Sequence, residues 1–332
     1  MRITVLGAGY MGSAMATVAS MRGHEVRLWG TWLDGALLDA CDRGELHPRL
    51  QLKLDGIARF RAEELAEALA GAELVVHAVN SDGAVPVMTR AAPHLPDVPV
   101  LSVSKGLLES KAGRMDRLDL VVSEAVGRRI RFVHAAGPAK AIEIARRVTT
   151  WMVYAGTVEG DAETCVRAFG GEHMHIGHTD DIAGAELCSA LKNAYATGLG
   201  LWDGLVGVDA HNARAACFTQ SIVEMRRIVV AGGGREETVH GAAGIGDLHV
   251  TGAGGRNRAF GERVGRGRPA REVAAEMLAA GQLTEGYPAI ATAHRFARER
   301  GVHELPLLDA LHAIIWQDAP VRETLAALRL SV

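Results

Sequence analysis

A lysine inside an apolar helical stretch, a lysine on a Ser-Lys-Gly turn, an aspartate among glycines and an arginine after a second glycine run are the side chains of this sequence best placed to do chemistry. Lys192 lies beside Asn193 in ELCSALKNAYATG (186–198). A lysine there must snorkel, pair with an acid or face a cleft, and one desolvated in a cleft can exchange protons near neutral pH. Lys105 ends a β-like run in SVSKGLLES (102–110), and the carboxyl end of a parallel strand faces the crevice where ligands bind. Asp247 and Arg256 fall within GAAGIGDLHVTGAGGRNRAFGER (241–263), which reads as glycine-rich turns that let a backbone approach a ligand. Arg256 has the fork geometry to grip a phosphate, and Asn257 stands next to it. At the start of the chain GAGYMG (7–12) follows RITVL without a break. Gly7 permits a tight turn, Gly9 lets the backbone approach a pyrophosphate, and Gly12 lets helix and strand pack closely; the helix N-terminus supplies N–H groups to the phosphates.

These residues need a scaffold, and the hydrophobic pattern supplies one. β-like runs at ITVL (3–6), EVRLW (25–29), ELVVHAV (73–79) and PVLSVS (99–104) alternate with helical stretches at 11–23 and 63–71. Further β-like runs follow at 129–136, 149–156 and 173–177. Such alternation predicts a parallel sheet covered on both faces. After about residue 180 the runs turn helical, at 182–201, 212–232, 269–281, 287–301 and 320–330. The expected architecture is an α/β Rossmann-type N-terminal domain, 1–180, binding a dinucleotide, followed by an all-α C-terminal domain, 181–332, for substrate and catalysis. The substrate cleft is expected between them.

Composition bounds the function. Of 332 residues 48% are hydrophobic and 23% charged, an ordinary globular balance, and the net charge of −3 offers nucleic acid no general attraction. The basic run RGRPAR (266–271) reads as a solvated turn or helix start. Cys41, Cys165, Cys188 and Cys217 are far apart and form no CxxC pair, which suits a reducing compartment. No run of some 18 apolar residues and no signal-peptide pattern is present, so a cytoplasmic protein without membrane insertion is expected. HMHIGH places His173, His175 and His178 together, but no acid or cysteine in the sequence nearby completes a metal set; a structural role and no metal are expected. The second strand ends in Gly30-Thr31-Trp32, without the acid that usually binds the ribose of NAD; the nearest is Asp34, which leaves NAD or NADP open.

GAGYMG, SKGLLE, ALKNAYATG, GIGDLHVTG and GRNRAFGER, with VEM (223–225) and TEGYPA (284–289), occur in an order and spacing that resembles the NAD(P)-dependent glycerol-3-phosphate dehydrogenases across essentially the whole chain. The resemblance implies reversible hydride transfer between glycerol 3-phosphate and dihydroxyacetone phosphate, a role in glycerophospholipid metabolism, and NAD or NADP as cofactor. It implies Lys192 as the catalytic lysine, assisted by Lys105 and Asp247, with Asn193, Thr251, Arg256 and Asn257 toward the substrate. It further implies cofactor contacts from Gly7, Gly9, Tyr10, Met11, Gly12, Asn80, Lys105, Ala139, Arg256 and Glu285. The partner is then a small phosphorylated substrate, and a homodimer is expected from the helical second domain.

The sequence departs from the family pattern at VNSDG (79–83), where a Pro-Ser pair is usual, and at AGPAKAIEI (136–144), where Ala139 and Lys140 replace a hydroxyl residue and an aromatic. TQS (219–221) stands for Thr-Arg-Gly, and Cys188 and Ser189 replace small residues of the catalytic helix. Two alternatives follow: a paralogue acting on another polyol or sugar phosphate, to which Lys140 would add a cation, and a dinucleotide-binding sensor without catalysis. A sensor has no need of a proton donor.

Overall fold

The computed structural model describes residues 1–48, 50–207 and 209–330. The chain divides into two compact units. One comprises Met1–Lys105 and Leu118–Ile182, the other Gly106–Arg117 and the chain from Ala183 onward. In the first unit β1 (Arg2–Leu6), α1 (Tyr10–Met21), β2 (Glu25–Trp29), α2 (Gly35–Asp42), β3 (Ala58–Phe60), α3 (Leu65–Leu69), β4 (Leu74–His77), α4 (Ser81–Ala91) and β5 (Val100–Ser102) alternate. The hairpin β6 (Leu107–Glu109) and β7 (Met115–Arg117) groups with the second unit, an excursion that no composition change announces. The chain then completes the first unit with α5 (Leu118–Val126), β8 (Phe132–Ala136), α6 (Ala141–Ala145), β9 (Thr150–Gly156), α7 (Asp161–Phe169) and β10 (Met174–Thr179).

Among the described residues, the first unit's strands form one eight-stranded sheet in the order β10-β9-β8-β5-β4-β1-β2-β3. The six strands from β3 to β8 run parallel, and β1 lies between β2 and β4 with Leu6 opposite both Trp29 and His77. This is a doubly wound, Rossmann-type sheet, with its switch point between β1 and β4. The central strands β4, β5 and β8 are buried at every residue, as a sheet covered on both faces requires. The expectation of a wholly parallel sheet needs correction: β9 runs antiparallel to β8, and β10 is parallel to β9. The cause is the connection. Five-residue α6 rises only about 7 Å, too little to carry the chain back along a strand of about 17 Å, whereas nine-residue α7 nearly spans that length and gives a parallel pair.

Apart from its hairpin the second unit is helical among the described residues. It contains α8 (Ile182–Val206), α9 (His211–Ala231), α10 (Glu236–His240), a π-helical turn (Ala242–Gly246), α11 (Asp247–Gly252), α12 (Arg256–Gly265), α13 (Ala270–Ala279), α14 (Gly286–Glu299), α15 (Pro306–Trp316) and α16 (Val321–Ala326). α8 is buried almost all round from Ile182 to Leu201, the signature of a central helix. It meets α12 backbone to backbone. Side chains added at Gly200 and Gly204 would overlap the carbonyl oxygens of Arg258 and Glu262, and at Gly261 and Gly265 those of Thr197 and Leu201. Two glycines four residues apart on each helix thus form one reciprocal contact.

That contact corrects the reading of 241–263 as glycine-rich turns, because most of the segment is helical. Gly244 has no room for a Cβ beside the Val239 carbonyl, and Gly261 packs on α8, so these glycines serve helix packing. The hairpin β6–β7, which follows the Ser-Lys-Gly turn, is held to α14 by Arg295 on Glu109, by the Met115 N–H donating to Glu299, and by Arg300 on Asp116.

Candidate active site

The glycine loop is built as a dinucleotide requires. Gly7 has φ +109°, a region other residues rarely adopt, and a Cβ there would stand 2.8 Å from the Ala78 carbonyl oxygen. A Cβ at Gly12 would overlap the Gly7 carbonyl oxygen, so α1 can start against β1 and β4 only with glycine at this position. At Gly9, the N-cap of α1, a side chain would meet nothing within 4 Å, leaving open space where a pyrophosphate would approach. No acid occupies the first turn of α1. Tyr10 opens the helix half-exposed, 6.5 Å from the His47 ring, while Met11 packs partly against the core. The residues present therefore fit NAD or NADP.

Two side chains not singled out from sequence also reach this loop. The Ser13 hydroxyl donates to the Ala8 carbonyl at 3.0 Å, and buried His47 stands with Nε2 3.5 Å from the same oxygen. The His47 Nδ1 accepts the Leu50 N–H at 3.2 Å, which puts the ring proton on Nε2. No spacing rule joins residue 47 to residue 8, so only the fold reveals the contact. Beyond β4, the Asn80 side-chain Oδ1 caps α4 by accepting the Gly83 N–H at 3.0 Å. Lys105 follows β5, and Ala139 packs against the sheet's core just before α6. Beneath the Asn80 and Lys105 loops lies His77, fully buried, with Nδ1 3.0 Å from the Ser102 hydroxyl and 3.3 Å from that of Ser104. The Ser104 hydroxyl donates to the Val79 carbonyl at 2.5 Å. Burial pushes the His77 imidazole down to about 4, so it is neutral near pH 7.

In the second unit the sequence candidates converge as two linked sets. Lys192 Nζ donates to Asp247 Oδ1 at 2.5 Å and to Thr251 Oγ1 at 2.9 Å. Lys192 is 7% exposed and Asp247 1%, so the pair is desolvated and its attraction little screened. The π-helical turn and α11 bring Asp247 and Thr251 to one side, four residues apart, which places both acceptors on the same helical face. One residue along α8, Asn193 Nδ2 donates to Glu285 Oε2 at 3.1 Å, while its Oδ1 accepts from Asn257 Nδ2 at 2.9 Å. Asn257 Oδ1 in turn accepts the Gly286 N–H at 2.9 Å. This chain of amides ties α8, α12 and the start of α14 together. Arg256 is exposed at the first position of α12, whose first turn carries no acid, and its guanidinium has no partner among the described residues. Its neighbour Arg258 is instead committed to buried Asp203, which also holds Arg214.

Two family models match the chain: the NAD-dependent glycerol-3-phosphate dehydrogenase N-terminus over residues 2–162 and the C-terminus over 181–326. The chain belongs to the NAD-dependent glycerol-3-phosphate dehydrogenase family. It is 36% identical to the NADP(+)-dependent glycerol-3-phosphate dehydrogenase of Archaeoglobus fulgidus, over 98% of each chain. It is 33% identical to the glycerol-3-phosphate dehydrogenase [NAD(P)+] of Myxococcus xanthus, over 97% of this chain and 95% of that one. Among solved structures, the glycerol-3-phosphate dehydrogenase of Coxiella burnetii superposes with a TM-score of 0.85 at 30% identity, covering 98% of this chain and 97% of that chain.

The departures from the family pattern have local explanations. Lys140 caps α6 and lies 3.7 Å from Glu143, so its charge has a partner within its own helix. Gln220 of TQS is buried and donates to Glu224 Oε1 at 2.8 Å, within a polar knot that also takes the Tyr195 hydroxyl and the Leu307 and Leu308 N–H groups. Cys188 and Ser189 are fully buried in α8. Of the three clustered histidines, His175 stacks on Trp151 and His178 lies 3.3 Å from Glu163, an acid that α7 brings up from outside the motif. No group of three or more metal-binding side chains occurs among the described residues. No helix there is long and apolar enough to cross a membrane.

Proposed function

We propose that this chain interconverts dihydroxyacetone phosphate and glycerol 3-phosphate with NAD or NADP, and that Lys192 is its general acid and base. The observation that carries the proposal is the buried Lys192 ammonium fixed by Asp247 and Thr251, in a chain of this family. When bound, the nicotinamide supplies the hydride in reduction and accepts it in oxidation. Lys192 Nζ gives a proton to the alkoxide that develops at the central carbon in reduction and takes it back in oxidation. Asp247 and Thr251 hold the ammonium in one direction, so little reorganisation is needed at the moment of transfer. To Lys105 we assign electrostatic support of the substrate, as the family resemblance implies. Arg256 and the N–H groups of the first turn of α12 receive the phosphate, with Asn257 fixed by its amide bonds to Asn193 and Gly286. Asn193 and Glu285 brace this wall, and Thr251 and Asn193 border the substrate.

In this reading residues 1–180 bind the cofactor through Gly7, Gly9, Tyr10, Met11, Gly12, Asn80 and Ala139, and residues 181–332 bind substrate and carry the chemistry. To Arg256 and Glu285 we also assign a part in cofactor binding, as the family resemblance implies. A homodimer working in the cytoplasm, within glycerophospholipid metabolism, completes the proposal. Purified protein with dihydroxyacetone phosphate and either NADH or NADPH tests it by the fall in nicotinamide absorbance. Oxidation of at least one cofactor is expected; none with either, but turnover of another sugar phosphate, would replace the substrate.

A further inference from the structure

The peptide of Ala8, between the first two glycines of the dinucleotide loop, is gripped from both ends. Its carbonyl takes the Ser13 hydroxyl at 3.0 Å and faces His47 Nε2 at 3.5 Å. Its N–H donates to Asp34 Oδ2 at 3.4 Å. The same Asp34 oxygen accepts the Thr31 N–H and the Thr31 hydroxyl, each at 2.8 Å. Asp34 thus ties the turn after β2 to the phosphate loop, five residues beyond the end of that strand.

Resting on the reading of this unit as a dinucleotide site, we propose that Asp34, with Ser13 and His47, is a positioning residue that fixes the Ala8 peptide, and that Asp34 does not select between NAD and NADP at the ribose 2′ position. A selecting acid has a defined place. An acid that reads the 2′-hydroxyl sits at the end of the second strand. Here that place is Gly30-Thr31, and a side chain at Gly30 would press on Leu38. The nearest carboxylate in sequence, that of Asp34, has the oxygen that faces the loop saturated by three protein donors. A phosphate loop must present its N–H groups without being ordered at the moment of binding, and locking the one non-glycine residue between Gly7 and Gly9 achieves this. The clamp acts on the pyrophosphate, which NAD and NADP share, so it strengthens both.

The two roles separate cleanly by experiment. Dissociation constants for NAD⁺ and for NADP⁺ are measured calorimetrically, without substrate, on wild type, Asp34→Asn, Asp34→Ala and Ser13→Ala. Positioning predicts that Asp34→Ala weakens both nucleotides by the same factor, about tenfold, with a smaller common loss for Asp34→Asn, which keeps an acceptor oxygen. Ser13→Ala, which alters no charge, is expected to weaken both together as well, and it serves if the Asp34 variants fold poorly. A gain in NADP⁺ over NAD⁺ of tenfold or more in Asp34→Asn would overturn the proposal, because it would make Asp34 the reader of the 2′-hydroxyl. Unchanged affinities in Asp34→Ala and Ser13→Ala would overturn it equally. Wild-type protein that bound neither nucleotide would instead fail the dinucleotide reading itself.

Discussion

At the scale of single residues the proposed site rests on one ammonium and one guanidinium. Lys192→Ala is expected to cut turnover by about 10³-fold while NAD(P) affinity, measured by calorimetry, stays within about threefold. Turnover within tenfold of wild type would move the proton donor elsewhere. Arg256→Ala should raise KM for the phosphorylated substrate by about 10- to 100-fold, the worth of a charge-assisted pair, and Arg256→Lys should recover only part because a lysine cannot bind bidentately. An unchanged KM in Arg256→Ala would mean that the phosphate is held by other groups. Lys192, Asp247 and Arg256 could be singled out in the sequence because a charge inside an apolar or glycine-rich run needs a reason, and the fold pairs the first two. Ser13 and His47 were not, since a serine in the first turns of a helix and a histidine in a connection break no pattern. Their meaning lies in a backbone oxygen they share.

At the scale of elements, strands and helices followed from hydrophobic period, whereas direction and contact did not. The alternation of β-like and helical runs identified the sheet, yet the reversal at β9 depended on α6 being five residues long, a length with no sharp boundary signal in AKAIEIARR. The glycines of 241–263 looked like loop residues because glycine is ambiguous: it marks a turn or a close approach, and only a packed partner decides. The reciprocal contact of α8 with α12 gives this a measurable cost. Gly204→Ala and Gly261→Ala are each expected to lose about 1–3 kcal/mol in urea unfolding, because each new methyl would meet a carbonyl oxygen. The double variant should lose less than the sum, since the first substitution already separates the helices on which the second acts. Full additivity would show that the two positions yield independently. Because α8 carries Lys192 and α12 carries Arg256, either substitution should also lower kcat/KM.

At the scale of the whole molecule, buried titratable groups set how stability responds to acid. His77 falls from 6.5 in an ordinary setting to about 4 in the folded chain, so between those values the unfolded state binds a proton that the folded state refuses. Stability from this source is constant above neutrality and is lost as pH falls from about 6.5 toward 4. Relative to a His77→Gln variant, the wild type should lose about 3 kcal/mol between pH 7 and pH 4 in urea titrations; parallel pH profiles would count against the buried neutral imidazole. Glu224 acts with the opposite sign, because burial raises its carboxyl and acid relieves the cost of burying its charge. The excursion of the β6–β7 hairpin has a consequence of another kind, in the order of synthesis. The Met115 partner Glu299 lies 184 residues downstream and the Glu109 partner Arg295 lies 186, so at about 5–20 residues per second a ribosome delivers them about 9–37 s after the hairpin. During that interval the second unit's first piece waits inside the gene segment of the first. Cutting the gene at residue 182 would therefore leave the downstream product without its hairpin, and no circular permutation would gather the second unit into one stretch, because the pieces of the two units alternate along the chain.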